Sequence, residues 1–118
     1  MCYAKHIYML DENNNLYEPT EVVLKEGITK IGNYQFKNFT SLVNIVIPTS
    51  VTSIGDYAFR GCTNLTSIEI PNSVTYIGFD AFEGCTSLTI YCEADSKPSK
   101  WEVRWNPSNC PVVWGYKK

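Results

Sequence analysis

With 118 residues, 44% of them hydrophobic, and a formal net charge of −2, the chain has room for one domain with a modest core. Lysines and arginines stand singly apart from Lys117 and Lys118, so no basic stripe exists for nucleic-acid phosphates and direct nucleic-acid binding is not expected. No apolar run approaches the ~20 residues of a bilayer span, and Met1 to Leu10 lacks the charged opening, long apolar stretch and cleavage site of a secretory signal. The expected location is cytoplasmic without membrane attachment, or extracellular if the chain is a fragment of a surface protein.

Residues 1–21 are predicted to form an N-terminal cap. AKHIYML and LYEP flank the polar DENNN (Asp11 to Asn15), a hairpin pattern whose apolar residues would fold over the first coil. Asp11, Asn13 and Asn15 have the opening of a calcium loop, but Leu16 takes the glycine position and Val22 that of the bidentate glutamate, so a plain turn is expected. Cys2 and His6 would share one face of a strand, yet nothing nearby supplies an orienting partner or an oxyanion donor, and both are read as cap residues.

From residue 28 the chain repeats at a spacing of 23: ITKIGNYQFKNFTSLVNIVIPTS (28–50), VTSIGDYAFRGCTNLTSIEIPNS (51–73), then VTYIGFDAFEGCTSLTIYCEA from Val74, with the repeat taken as 74–93. Aligned columns hold Ile31, Ile54 and Ile77; Phe36, Phe59 and Phe82; Leu42, Leu65 and Leu88. Phe39, Cys62 and Cys85 form a fourth column. Carried backwards, the register sets Val22 and Leu24 under Ile45 and Ile47, so residues 22–27 close a partial repeat and about three and a half units are present.

Within one unit, LTSIEIP alternates apolar and polar residues and is predicted to be a half-buried strand stopped by Pro71. Val51 to Ile54 suits a second short extended segment, with Gly55 marking a turn expected to need positive φ. DYAFRGC (Asp56 to Cys62) is too short for an independent α-helix and suits one helical or 3₁₀ turn, with Ala58, Phe59 and Cys62 inward and Gly61 as the stop. One such unit cannot cover its own apolar residues. Units must therefore stack, which predicts a repeat solenoid, mainly β with short helical or 3₁₀ turns, its strands ~4.8 Å apart. Thr29, Thr52 and Thr75 form a further column expected to be structural.

Residues 94–118 are expected to cap the far end. Trp101, Trp105, Val112, Val113 and Trp114 supply apolar bodies, while Pro98, Pro107 and Pro111 are expected to prevent another regular coil. Cysteines number five, so full intramolecular pairing is excluded. Cys92 and Cys110 can be either a disulfide or two buried thiols, the thiols being preferred, and Cys62 and Cys85 are read as core fillers rather than nucleophiles. There is no CxxC or histidine pair for zinc, and neither metal nor cofactor is expected. The sequons at Asn38 and Asn64 fall at turn positions of the repeat.

The unit VTSIGDYAFRGCTNLTSIEIPNS resembles the repeat of the BspA-like leucine-rich repeat family, and the ending LTIYCEADSKPSKWEVRWNPSNCPVVWGY (88–116) resembles a tail found in that family. The resemblance implies a right-handed leucine-rich repeat solenoid that acts in adhesion or protein binding, with no catalytic residues to carry over. Members occur in bacterial surface proteins, parasitic protists and shorter bacterial and phage reading frames.

With the inward positions committed to the core, the outward face of the strand stack is the candidate functional surface. One column is expected to run Val23, Val46, Glu69 and Tyr91, allowing a one-residue deletion in the last coil; beside it lie Glu21, Asn44, Ser67 and Thr89. Val23, Val46 and Tyr91 would form a mild apolar patch for a protein partner, or simply favour β structure by cross-strand packing. Val23, Val46, Glu69, Tyr91, Asn44 and Ser67 are the candidate partner-binding residues. The expectation is a non-catalytic protein-binding module, a small intracellular interaction or inhibitor protein of bacterial or phage origin with no small-molecule substrate. The alternative is an adhesion module of a surface protein.

Overall fold

Repetition of the apolar columns is what the chain turns into structure. A computed structural model describes residues 9–10 and 12–117, with side chains from residue 12 onward. Two strands, β1 (Met9–Leu10) and β2 (Leu16–Tyr17), pair antiparallel around a turn in which Asn14 adopts φ 64°, so the expected hairpin forms. The apolar side chains of residues 4–10, expected to fold over the first coil, lie outside the described side chains. Leu16 is 68% exposed and Tyr17 is also exposed, whereas Pro19 just beyond is buried.

Eight further strands build two parallel ladders. In the longer, β3 (Glu21–Val23), β5 (Asn44–Val46), β7 (Ser67–Ile70), β9 (Thr89–Cys92) and β10 (Val112–Val113) lie side by side in the order β10-β9-β7-β5-β3. In the shorter, β4 (Lys30–Ile31), β6 (Ser53–Ile54) and β8 (Tyr76–Ile77) pair in register, Ile31 against Ile54 and Ile54 against Ile77. The repeat spacing thus becomes strand pairing, and each coil rests on its predecessor.

Turns close the coils where a helical turn is predicted, and no helix occurs among the described residues. The reason lies between coils. The amides of Phe36 and Phe59 donate to the carbonyls of Ala58 and Ala81 in the next coil, 2.8 Å each, and so cannot serve a helix of their own. The backbone also departs from helical values, with φ 62° at Tyr34, 59° at Tyr57 and 55° at Asp80. Gly61, read as the stop, has φ 79° as expected.

Gly55 corrects the expectation in a different way, for its φ is not positive. A Cβ there would stand 2.6 Å from the Asn33 amide nitrogen and 2.8 Å from the Gly32 carbonyl carbon, so glycine is required by the close approach of the coil below. The same contact lets the Asn33 side-chain oxygen accept the Asp56 amide at 2.8 Å.

The interior is the set of predicted columns. Leu42, Leu65, Ile54, Ile77, Ala58 and Phe59 are fully buried, and the phenylalanine rings stack at 5.4 Å from Phe36 to Phe59 and again from Phe59 to Phe82. Burying such side chains contributes ~1.5–3 kcal/mol each, and stability resides between neighbouring coils. The threonine column is structural as expected: Thr52 donates backbone and hydroxyl hydrogens to Thr29 O, and Thr75 does the same to Thr52 O.

The tail is more regular than its prolines suggest. Far from preventing another coil, it adds β10 to the long ladder, with Val112 beside Ile90 and Val113 beside Tyr91. Pro111 supplies a carbonyl to the Ile90 amide at 2.8 Å, a bond that needs no N–H from the proline. Glu102 N bonds to Ile77 O at 2.9 Å, Trp101 Nε1 to Val74 O at 3.2 Å, and the Arg104 guanidinium pairs with buried Asp80 at 3.1 Å. Trp101 and Trp105 close the end of the core.

Candidate functional site

The outward side chains of the long ladder define the candidate site, and the strand register sets their order. Val23 pairs with Val46 and Glu69 with Tyr91, and Asn44 sits between Glu21 and Ser67, so both predicted columns exist. Glu69 and Tyr91 are 22 positions apart, which matches the predicted one-residue deletion. The columns then continue beyond the prediction. Val113 extends the first one past Tyr91, and Tyr116 of the tail lays its ring 5.1 Å from that of Tyr91.

Exposure divides the face. Val23 is 67% exposed, while Val46 and Val113 are each 41% exposed. Glu69, Tyr91, Asn44 and Ser67 are half-buried. Asn44 Nδ2 donates to Glu21 Oε2 at 2.9 Å, tying the second column together across the first two strands. The apolar share of the surface is therefore concentrated at the two ends of the first column.

Two shallow recesses mark the face. One of about 160 Å³ lies among Asn44, Val46, Ser67 and Glu69, over Ile45 and Ile47. The other, about 50 Å³, is lined by Glu69, Glu93, Pro71 and Tyr116 among others. Small-molecule sites span ~300–1,000 Å³, so these recesses suit single side chains of a macromolecule. Glu93 is held in place, its Oε1 accepting the Asn72 amide at 2.7 Å. Val113, Tyr116 and Glu93 were not foreseen. The signal for the first was the β-branched pair after Pro111, which reads as a strand start once the proline is placed at a strand's first position.

The cysteines belong to the core. Cys62, Cys85, Cys92 and Cys110 are buried free thiols, so Cys92 and Cys110 form no disulfide. Their columns differ. Cys92 follows Ile70 in the strand ladder, whereas Cys110 follows Cys85: Cys62 Sγ donates to Phe36 O, Cys85 Sγ to Phe59 O and Cys110 Sγ to Cys85 O, at 3.1, 3.1 and 3.3 Å. The Cys85 thiol is pushed up by its neighbour Cys62 and by burial, and burial pushes Cys92 up to about 12 and Cys110 to about 11. Such thiols are poor nucleophiles.

Of the remaining candidates, Cys2, His6 and Asp11 lie outside the described residues. Asn13 to Asn15 belong to the hairpin turn, and among the described residues no three His, Cys, Asp or Glu side chains are grouped to hold a metal. Asn64 Nδ2 donates to Thr40 O at 2.7 Å, so this sequon nitrogen joins two coils. Among the described residues no helix is long and apolar enough to cross a membrane.

Parallel ladders stacked on Leu, Ile and Phe columns define a leucine-rich repeat solenoid. The family model described as a BspA type leucine rich repeat region (6 copies) matches residues 13–95, and the chain belongs to that family. A solved structure from Faecalibacterium prausnitzii A2-165, described as a leucine rich cell surface protein, is similar at 40% identity with a TM-score of 0.62. The match covers 67% of this chain and 21% of that one, so the chain spans about a fifth of that protein's length. None of the curated proteins matches this chain.

Proposed function

We propose that this chain is a non-catalytic protein-binding module of the adhesive, cell-surface kind, and that its partner docks on the outward face of the long strand ladder. The observation that carries the reading is the column of Val23, Val46, Glu69, Tyr91 and Val113, in which three exposed valines flank a half-buried glutamate and tyrosine on one sheet. Likeness to a solved protein described as a cell surface protein favours the adhesive reading over the intracellular inhibitor, for which the comparisons give no support.

The test is capture by the immobilised chain from two separate extracts, one of surface-exposed proteins and one of cytosol. We expect a specific partner from the surface extract, lost with the double variant Val46→Glu, Tyr91→Arg while the thermal unfolding transition is retained. Capture that survives the double variant would move the docking site elsewhere, and capture from cytosol alone would return the chain to the intracellular reading.

A further inference from the structure

We propose that the segment docking on the strand face is basic: an extended stretch of a protein partner in which lysine or arginine and aliphatic residues take turns at every second position, so that both fall on one side. The inference rests on the strand-face reading above and gives the partner its chemistry.

Charge within the five strands has one sign. Across β3, β5, β7, β9 and β10 the only charged side chains are Glu21 and Glu69, both outward, and Glu93 follows β9 directly. No lysine, arginine or histidine lines either recess. The chain as a whole is nearly balanced at −2, so the sign is a property of the strands and not of the composition.

The order along the stack is equally specific. Successive strands present Val23 on β3, Val46 on β5, Glu69 on β7 and Tyr91 on β9 in one column, with Glu21 level with Asn44 in the column beside it. An extended segment shows alternate side chains to one face, so a basic and aliphatic pattern can oppose each element.

The smaller recess fits the basic member. Glu69 and Glu93 both line a recess of about 50 Å³, enough for one ammonium or guanidinium head, and Ile47, Pro71 and Tyr116 add apolar and aromatic lining for its stem. An acidic group brought against these carboxylates is repelled, whereas a cation is attracted. Glu21 and the half-buried pair keep access to solvent, so a cation gains attraction without full desolvation.

Three synthetic peptides of equal length, in which valine takes turns with lysine, serine or glutamate at every second position and threonine fills the positions between, are titrated into the full chain by calorimetry at low and at high salt. We expect the lysine–valine peptide to bind best, with affinity falling as salt rises. Glu69→Gln with Glu93→Gln should weaken it about tenfold, whereas Glu12→Gln with Glu102→Gln, an equal charge change off this face, should not. Val46→Ser with Tyr91→Ser should also weaken it.

If the serine or glutamate peptide binds as well as the lysine peptide and still responds to the Val46 and Tyr91 changes, the basic chemistry is overturned and the docking face stands. Lysine-peptide binding that ignores those two changes overturns both. No binding of the lysine peptide at millimolar concentration overturns the basic chemistry and leaves the face to the capture experiment.

Discussion

Trp105 stands edge-on to Phe82, ring centroids 6.2 Å apart at 85°, where the coils before it place phenylalanine on phenylalanine at 5.4 Å and nearly parallel. The turn from stacked to T-shaped geometry ends the aromatic column, because the crossed ring planes break the parallel stacking of the phenylalanines. Trp101 packs against Trp105 at 4.9 Å and completes the lid. We expect Trp105→Ala to cost ~3–5 kcal/mol in urea unfolding. A loss below ~1 kcal/mol would mean that Phe82 has another cover.

Burial separates two leucines that composition alone treats alike. Leu65 is fully buried between the coils that hold Leu42 and Leu88, whereas Leu16 is 68% exposed on the hairpin. Leu65→Ala should cost ~2–5 kcal/mol and Leu16→Ala should stay within ~0.5 kcal/mol. Thermal unfolding of both variants side by side checks the contrast, and equal shifts would contradict it.

Gly55 and Gly78 lack positive φ, yet each faces the backbone of the coil below at under 3 Å from where a Cβ would lie. Alanine at either position should lower the unfolding midpoint, although the backbone angles are ones alanine ordinarily adopts. At Gly27, with φ 104° and open space around it, a substitution is strained by the angle and not by crowding. Asn33→Ala together with Gly55→Ala should not restore stability, because the Asn33 amide nitrogen remains in place. Full rescue by that pair would assign the crowding to the side chain instead.

The buried thiols give the fold an alkaline limit. A cysteine ordinarily ionises near 9.0, while Cys92 and Cys110 are pushed up to about 12 and about 11 by desolvation. Between pH ~9 and those values the unfolded chain releases protons that the folded chain keeps, so rising pH favours unfolding. The contribution is fully present below pH ~9 and is lost as pH climbs toward 11–12. Urea midpoints from pH 7 to 11 should fall above 9, and serine at both positions should flatten that fall. At pH 8 the four buried thiols should resist a thiol-reactive dye until the chain unfolds.

The Leu, Ile and Phe columns were legible in the sequence because a 23-residue repeat writes each contact several times over, and the strand face came from the alternation beside them. The turn over Asp56 to Cys62 was not legible as a turn. Its amide partners lie one coil away, and a short segment reveals only its local preference. Val113 and Tyr116 escaped because the tail leaves the repeat spacing and Pro111 reads as a stop, although Cys110 continues the Cys85 column 25 positions on. Glu93 was hidden by the shortened last coil, which shifts the residue after β9 out of the repeat alignment.

Whether partners meet the outward strand face can be read residue by residue from amide chemical shifts of the labelled chain, recorded while the lysine–valine peptide is added. The largest changes are expected at residues 44–46, 67–69, 89–91 and 112–113, with the opposite turns at 34–38, 57–61 and 80–84 nearly silent. Changes confined to those turns, with the strand residues unmoved, would contradict docking on the strand face.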